Sequence, residues 1–87
     1  MPFALTFRPG VERDRARLPK DVQRRFADAF ERLKEDPFHA RSGLDIRLLA
    51  GARHGERRLR VGQYRATYEI VEGTVLILEI GSRGNFY

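Results

Sequence analysis

The stretch ERRLRVGQYRATYEIVEG, residues 56–73, alternates like a β-hairpin, yet its polar positions are occupied largely by arginine. If Gly62-Gln63 forms a two-residue turn, Arg60 lies directly opposite Arg65, since residues paired across such a turn face one another. Successive side chains of a strand point to opposite faces. One face of the hairpin then carries the apolar set Leu59, Val61, Tyr64, Ala66, Tyr68 and Ile70. The other face carries Arg58, Arg60, Arg65 and Thr67, so three guanidinium groups share it.

Two arginines directly opposite each other repel, and like charges in that position destabilise a strand pair. Either the side chains extend into water or the face is built to receive negative charge. For a single arginine the first interpretation is the simpler one. Three arginines on one face favour an anion site.

The hairpin continues into a third strand. Glu72-Gly73 is a second two-residue turn, and the following residues 74–87, TVLILEIGSRGNFY, begin with a continuous apolar run typical of a central, buried strand. An uninterrupted register would place Glu79 in the core and Ile80 with the arginines. We therefore expect a β-bulge or a shifted register in this strand pair.

The N-terminal half predicts one strand and two helices. FALTF, residues 3–7, alternates like a strand until Pro9 and Gly10. VERDRARL, residues 11–18, is a short and weakly helical segment, and residues 20–37 form a stronger helix with apolar residues at 3.6-residue spacing. Residues 38–55 are predicted to be mostly loop. The sequence thus predicts an α+β fold: a small antiparallel sheet of the N-terminal strand and the three-strand meander, with two helices packed on one face, in a single domain of residues 1–87.

Composition restricts the function further. The 87 residues contain no cysteine and no run near the ~20 apolar residues that span a bilayer, so we expect a soluble cytoplasmic protein without disulfides. Two histidines, His39 and His54, make no usual metal-ligand set, and no metal or cofactor is predicted. The net charge is +5, and residues 41–68 carry seven basic residues against two acidic ones. All basic residues except Lys20 and Lys34 are arginine, which suits phosphate and carboxylate partners, although genome composition alone also raises arginine content.

Two motifs resemble those of the RelE/ParE superfamily of bacterial and archaeal toxins. These are RRLRVGQYRATYEI at residues 57–70 and LILEIGSRGNFY at residues 76–87, and the order and length of the elements match as well. The resemblance implies the toxin of a type II toxin–antitoxin system, with a cognate antitoxin as partner. RelE-type members cut mRNA in the ribosomal A site with the RNA's own 2′-hydroxyl as nucleophile, which would make the ribosome and mRNA further partners.

The resemblance also implies roles for particular residues. Arg65 and Arg83 would stabilise the charge that develops on the phosphate during in-line attack, without a metal. Arg58 would lie near the 2′-hydroxyl, and Tyr87 would stack on or orient a base. Additional RNA-binding residues would be Arg60, Arg57 and Arg53.

The general base is the least defined part of the predicted site. Glu56 stands where RelE-type toxins have a basic residue, and Ser82 where related toxins often have histidine. Arginine does not release its proton at neutral pH, so Glu56 is either the base or part of a surface ion pair.

Two other functions fit the same sequence. ParE-type members of the superfamily poison DNA gyrase, and the basic face would then dock protein or DNA. Alternatively, the chain is a nucleic-acid-binding module without catalytic activity, whose affinity would fall steeply with salt.

Overall fold

Five strands and two helices make up the described part of the protein, residues 2–51 and 55–82 of a computed structural model. In chain order the elements are β1 (Ala4–Phe7), α1 (Val11–Ala16), α2 (Lys20–Glu35), β2 (Asp45–Leu48), β3 (Arg57–Val61), β4 (Tyr64–Val71) and β5 (Thr74–Ser82). The strands form one sheet in the spatial order β1-β5-β4-β3-β2. Among the described residues, neither helix has the length and apolar character needed to cross a membrane.

The α+β class is confirmed, but the sheet is mixed instead of wholly antiparallel. β1 pairs with β5 in parallel, from Ala4 opposite Thr74 to Phe7 opposite Ile77, whereas the other neighbouring strands are antiparallel. The alternation of residues 3–7 predicts a strand but carries no information about its direction relative to a partner far along the chain. The two helices carry the chain away from β1 to the opposite edge of the sheet, at β2.

The segment after α2, predicted to be mostly loop, contains a fifth strand. Within it, β2 pairs with β3, with Ile46 opposite Leu59 and Leu48 opposite Arg57. Ile46 is buried, whereas Leu48 is 63% exposed. The prediction failed because the strand has only four residues and glycines occur on both sides of it, although Leu44, Ile46 and Leu48 do alternate with polar residues.

Both predicted turns of the meander are present. Val61 lies opposite Tyr64 and Arg60 opposite Arg65, as the Gly62-Gln63 turn requires. Gly62 has a φ of 61°. At the second turn both Glu72 and Gly73 have positive φ, of 48° and 77°, as in a type I′ hairpin turn.

The expected register shift is also confirmed. The pairing of β4 with β5 is irregular between Thr67 and Tyr68, so that Glu79 lies opposite Thr67 and Ile80 opposite Ala66. Ile80 is buried at 6% exposure, and Glu79 is exposed. The extra residue therefore returns the apolar side chain to the core and directs the carboxylate away from it.

The core lies between α2 and one face of the sheet. α2 buries Val22, Phe26, Ala29, Phe30 and Leu33, which recur at helical spacing. From the sheet, the fully buried Tyr68 donates a 2.7 Å hydrogen bond from its hydroxyl to the carbonyl oxygen of Pro37, just after the helix. The opposite face of the sheet is left for the arginines.

Candidate nucleic-acid interface

Four arginines lie on the sheet face that points away from α2. Arg58 and Arg60 of β3 alternate with the buried Leu59 and Val61, and the register places Arg58 opposite Thr67 and Arg60 opposite Arg65. Arg47 of β2 lies opposite Arg58 on its other side. We call this surface the arginine face; its basic residues are Arg47, Arg58, Arg60 and Arg65.

Arg47 is the member of this face that the sequence did not reveal. Its alternation with Ile46 and Leu48 was the available signal, but recognising it required a strand where a loop was predicted. Once β2 pairs with β3, Arg47 lies directly across from Arg58. The face therefore holds two pairs of directly opposed arginines, Arg47 with Arg58 and Arg60 with Arg65.

Arg58 is the more enclosed of the two β3 cations on this face. Its side chain is 12% exposed, and its Nη2 forms an ion pair with Oδ1 of Asp45 at 3.2 Å. Asp45 precedes Ile46 in β2 and lies opposite Arg60, so its carboxylate stands within the group of guanidiniums. Asp45 was not predictable as a partner from the sequence, because its position depends on β2.

Two polar atoms on this face have unmet hydrogen-bonding capacity. Arg58 Nε and Thr67 Oγ1 are buried, belong to directly opposed residues, and have no hydrogen-bond partner within the described parts of the chain. Thr67 is 8% exposed, and the exposed Glu79 lies on its other side, in β5. Buried polar groups without partners are costly, so this pair marks the face as incompletely satisfied in the free protein.

Arg60 and Arg65 differ in surroundings although they are directly opposed. Arg60 is exposed, and its Nε donates a 3.1 Å hydrogen bond to the carbonyl oxygen of Gly62 at the turn. Arg65 is half-buried and lies opposite Gly81 of β5 on its other side. Gly81 is two residues before Arg83 in the sequence.

Three predicted site residues, Arg83, Tyr87 and Arg53, fall outside the described residues, so their predicted roles remain predictions.

Arg57 lies on the other side of the sheet from the arginine face. It is opposite Tyr68, its Nη1 donates to the carbonyl oxygen of Gly55 at 3.1 Å, and its guanidinium lies 5.0 Å from the centroid of the Phe38 ring. These contacts give it a local structural role. The structure therefore brings Arg58, Arg60 and Arg65 together and separates Arg57 from them.

Arg41, another arginine of the basic residues 41–68, is also engaged in contacts within the fold. Arg41 donates from Nη2 to the carbonyl oxygen of Arg32 at 2.8 Å, and from Nη1 to those of Asp36 and His39. It thereby ties the loop at Asp36 and His39 to the last turn of α2. The charge excess of residues 41–68 is therefore only partly available to a ligand.

Glu56, the candidate base, immediately precedes β3. Its carbonyl oxygen accepts a hydrogen bond from the amide of Leu49 at 2.9 Å, which fixes the backbone at the start of the strand. The residue is half-buried, and its carboxylate forms no ion pair with any described residue. The interpretation of Glu56 as part of a surface ion pair therefore has no support here.

Across residues 2–51 and 55–82, no group of three or more His, Cys, Asp or Glu side chains is arranged to hold a metal ion.

The geometry defines a class: a small α+β protein with a mixed sheet, a helical layer on one face and an arginine-rich opposite face. The same fold occurs in solved toxin–antitoxin structures. The chain is 28% identical to a chain of the archaeal RelE-RelB complex of Pyrococcus horikoshii OT3, with a TM-score of 0.81 over 97% of this chain and 98% of that one. It is 27% identical to a chain of the RelBE2 toxin-antitoxin complex of Mycobacterium tuberculosis, with a TM-score of 0.77 over 95% of this chain and 100% of that chain.

A more distant likeness, in fold alone, is to a mutant of the E. coli toxin RelE in the free state. The identity is 18% and the TM-score is 0.75 over 99% of this chain and 88% of that one. Comparison with curated proteins gave no match. The sequence profile of the ParE toxin of the type II toxin-antitoxin system, parDE, matches residues 5–87. The chain belongs to this family and so to the RelE/ParE superfamily, and it is a toxin of a toxin–antitoxin system.

Proposed function

We propose that the protein is a ribosome-dependent endoribonuclease that cleaves mRNA in the ribosomal A site and thereby inhibits translation. The observation that carries this proposal is the arginine face, where two pairs of directly opposed arginines lie side by side. Such an arrangement gathers several guanidinium groups where a phosphodiester can be bound. The RelE-like fold and the resemblance to RelE-type toxins support the same substrate.

The chemistry assigned to these residues is in-line attack by the RNA's 2′-hydroxyl on the adjacent phosphodiester. Negative charge builds on the non-bridging oxygens, and guanidinium groups held in place before the reaction lower the barrier. Arg65 and Arg83 take this role, Arg58 lies near the 2′-hydroxyl, and Tyr87 stacks on or orients a base. Arg60 holds the RNA backbone. Cleavage on the ribosome implies a cytoplasmic location.

Glu56 is proposed as the general base that removes the 2′-hydroxyl proton. Its carboxylate has no ion-pair partner among the described residues, and Glu56 immediately precedes Arg57 and Arg58 in the chain. Glu56→Gln keeps the side-chain shape and removes the basic group. It tests this role through the pH dependence of cleavage.

A protein antitoxin is proposed as the partner in the resting cell. The solved relatives from Pyrococcus horikoshii and Mycobacterium tuberculosis are complexes with antitoxins. The charge of +5 favours an acidic partner, and the exposed apolar side chains of Phe38, Leu48 and Val71 provide contact area.

The family profile names ParE, so gyrase poisoning is the second candidate function. Reconstituted translation separates the two. The endoribonuclease proposal expects the protein to cut a reporter mRNA only when ribosomes are present, with cuts mapped within the reading frame by primer extension. If the protein instead causes DNA breaks in the presence of gyrase and leaves mRNA intact, the endoribonuclease proposal is wrong and the protein has the ParE-type function.

A further inference from the structure

A groove of about 800 Å³ lies between α2 and β3, and Arg60 of the arginine face is part of its lining. It is bounded by α2, by the loop that follows this helix, and by β3 and its turn. We call it the helix-side groove. The arginines that line it are Arg25, Arg32, Arg41 and Arg60.

Two of these arginines, Arg25 and Arg32, have guanidinium groups that form no hydrogen bond or ion pair with any described residue. Arg41, in contrast, donates from both Nη1 and Nη2 to backbone carbonyl oxygens. Arg25 and Arg32 are seven residues apart in α2, so they lie on the same side of the helix about 10 Å apart along its axis. Asp28 and Ala29, between them, line the same groove.

Glycines on the far side of the groove leave room for both guanidiniums. A methyl group on Gly62 would lie 3.4 Å from Arg25 Nη1, and one on Gly43 would lie 2.9 Å from Arg32 Nη1. Gly62 and Gly43 both have positive φ. Each guanidinium therefore lies across a backbone turn with its donors free.

The groove is cationic. Arg25, Arg32, Arg41 and Arg60 line it together with two carboxylates, Asp28 and Asp45. Asp45 is already paired with Arg58, and Asp28 forms no ion pair with any described residue. A ligand that supplies at least two negative charges at a spacing matched to α2 would complement this lining.

The groove is continuous with the arginine face through Arg60. This residue is opposite Arg65, yet its Nε donates to the carbonyl oxygen of Gly62, and a Cβ at that glycine would lie 3.4 Å from Arg25 Nη1. An extended anion bound at the arginine face can therefore continue around the end of the β3–β4 hairpin into the groove.

The lining favours a phosphodiester chain over an acidic protein helix. A helix docks by burying apolar side chains in an apolar groove. Here the apolar floor is already enclosed, since Ala29, Leu44, Leu59 and Val61 are between 0% and 8% exposed. The exposed donors are guanidinium groups, which bind phosphate in two-point geometry.

We propose that the helix-side groove binds the sugar–phosphate backbone of the RNA strand that the arginine face receives, with Arg25 and Arg32 as the phosphate contacts. This inference rests on the proposed function. It adds a second RNA-binding site, between α2 and β3, that takes no part in the chemistry.

The test compares Arg25→Gln/Arg32→Gln with Arg13→Gln/Arg24→Gln. Both variants lose two charges from exposed or half-buried helical positions, and neither Arg13 nor Arg24 lines the groove. The probe is a fluorescein-labelled, uniformly 2′-O-methylated single-stranded RNA, which cannot be cleaved through its 2′-oxygen. Fluorescence anisotropy measures its affinity at several salt concentrations.

The groove variant is expected to bind about 20-fold more weakly at 0.1 M salt and to lose about 1.4 from the slope of log K against log salt, because each single-strand phosphate contact contributes about 0.7. The control variant keeps the wild-type slope. The single substitutions Arg25→Gln and Arg32→Gln, each expected to lose about 0.7, serve if the double variant does not fold.

Each other outcome has a distinct meaning. If the groove and control variants have equal salt slopes and the wild-type protein binds RNA, the groove proposal is wrong and the proposed function of the arginine face is unaffected. Absence of salt-dependent RNA binding by the wild-type protein overturns the proposed function and the groove together. Retained RNA affinity with lost affinity for an acidic antitoxin shows that the groove docks protein, which also overturns the proposal.

Discussion

Arg60 and Arg65 lie directly opposite each other in the β3–β4 hairpin, and both project from the sheet face that the helices leave uncovered. Neighbouring positions of the same strands hold Leu59 and Ala66, both fully buried. The register that builds the core therefore also forces two cations together on the other face. This coupling between packing and charge has measurable consequences for stability and for RNA binding.

Arg60→Gln is expected to weaken binding to RNA while changing the free energy of unfolding by less than about 1 kcal/mol. Arg60 lies opposite Arg65 on one side and opposite Asp45 on the other, so the substitution removes an unfavourable and a favourable charge pair together. Chemical denaturation at low and high salt measures the change in stability, and anisotropy with the non-cleavable RNA measures the affinity. Arg24→Gln on the exposed side of α2 is the matched control, and an affinity for RNA in Arg60→Gln no lower than in this control would contradict the account.

Asp45→Asn is expected to increase the affinity for RNA and to lower stability. The carboxylate pairs with the largely enclosed Arg58 at 3.2 Å, and Asp45 itself is half exposed. Solvent screening limits the loss in the free energy of unfolding to about 1 kcal/mol or less. Anisotropy with the non-cleavable RNA measures the affinity, and Glu35→Gln is the control of equal charge. A gain in affinity no larger than in the control would show that Asp45 does not compete for Arg58.

Tyr68→Phe is expected to lower the free energy of unfolding by about 1 kcal/mol or more, because it removes the hydrogen bond to the Pro37 carbonyl and leaves that carbonyl unsatisfied. Burial raises the pKa of Tyr68 above its ordinary value of 10.0 in the folded state. The contribution of the neutral phenol to the free energy of unfolding is therefore fully present below pH 10 and is lost as the pH rises above 10. Denaturation at pH 8 and pH 11 should show a smaller loss in Tyr68→Phe than in wild type, and an equal loss would contradict this assignment.

Glu72→Asn is expected to stabilise the β4–β5 hairpin by about 0.5–1 kcal/mol. Glu72 has a φ of 48°, which is unfavourable for residues other than glycine, asparagine and aspartate, and Asn-Gly is the preferred type I′ pair. Gly73→Ala, at a φ of 77°, should destabilise the same turn by a similar amount. Thermal unfolding that shifts in the same direction for both substitutions would exclude this turn geometry.

Local patterns predicted the parts of the fold that depend on them. The spacing of Val22, Phe26 and Leu33 defined α2, and the two-residue turns at Gly62 and Gly73 defined the meander and its register. The burial conflict at Glu79 and Ile80 indicated the bulge. The direction of β1 was not predictable from its own alternation, because it depends on a pairing with β5 across almost the whole chain.

The candidate site was predicted in part. Arg58, Arg60 and Arg65 share a face because they follow one hairpin, so the sequence alone was sufficient. Arg47 and Asp45 were missed because both depend on the short edge strand β2. Arg57 was grouped with the RNA-binding residues by its position in the sequence, yet alternation places it on the core side with Leu59 and Val61, beside Phe38.

The most direct test of the central claim, that the arginine face carries the cleavage chemistry, is the single-turnover rate of ribosome-dependent mRNA cleavage by Arg65→Ala and by Arg24→Ala. Both substitutions remove one arginine, and only Arg65 belongs to the face. The account predicts that Arg65→Ala remains folded and cuts about 10²–10³-fold more slowly, while Arg24→Ala cuts at the wild-type rate. Equal rates for Arg65→Ala and wild type would contradict it.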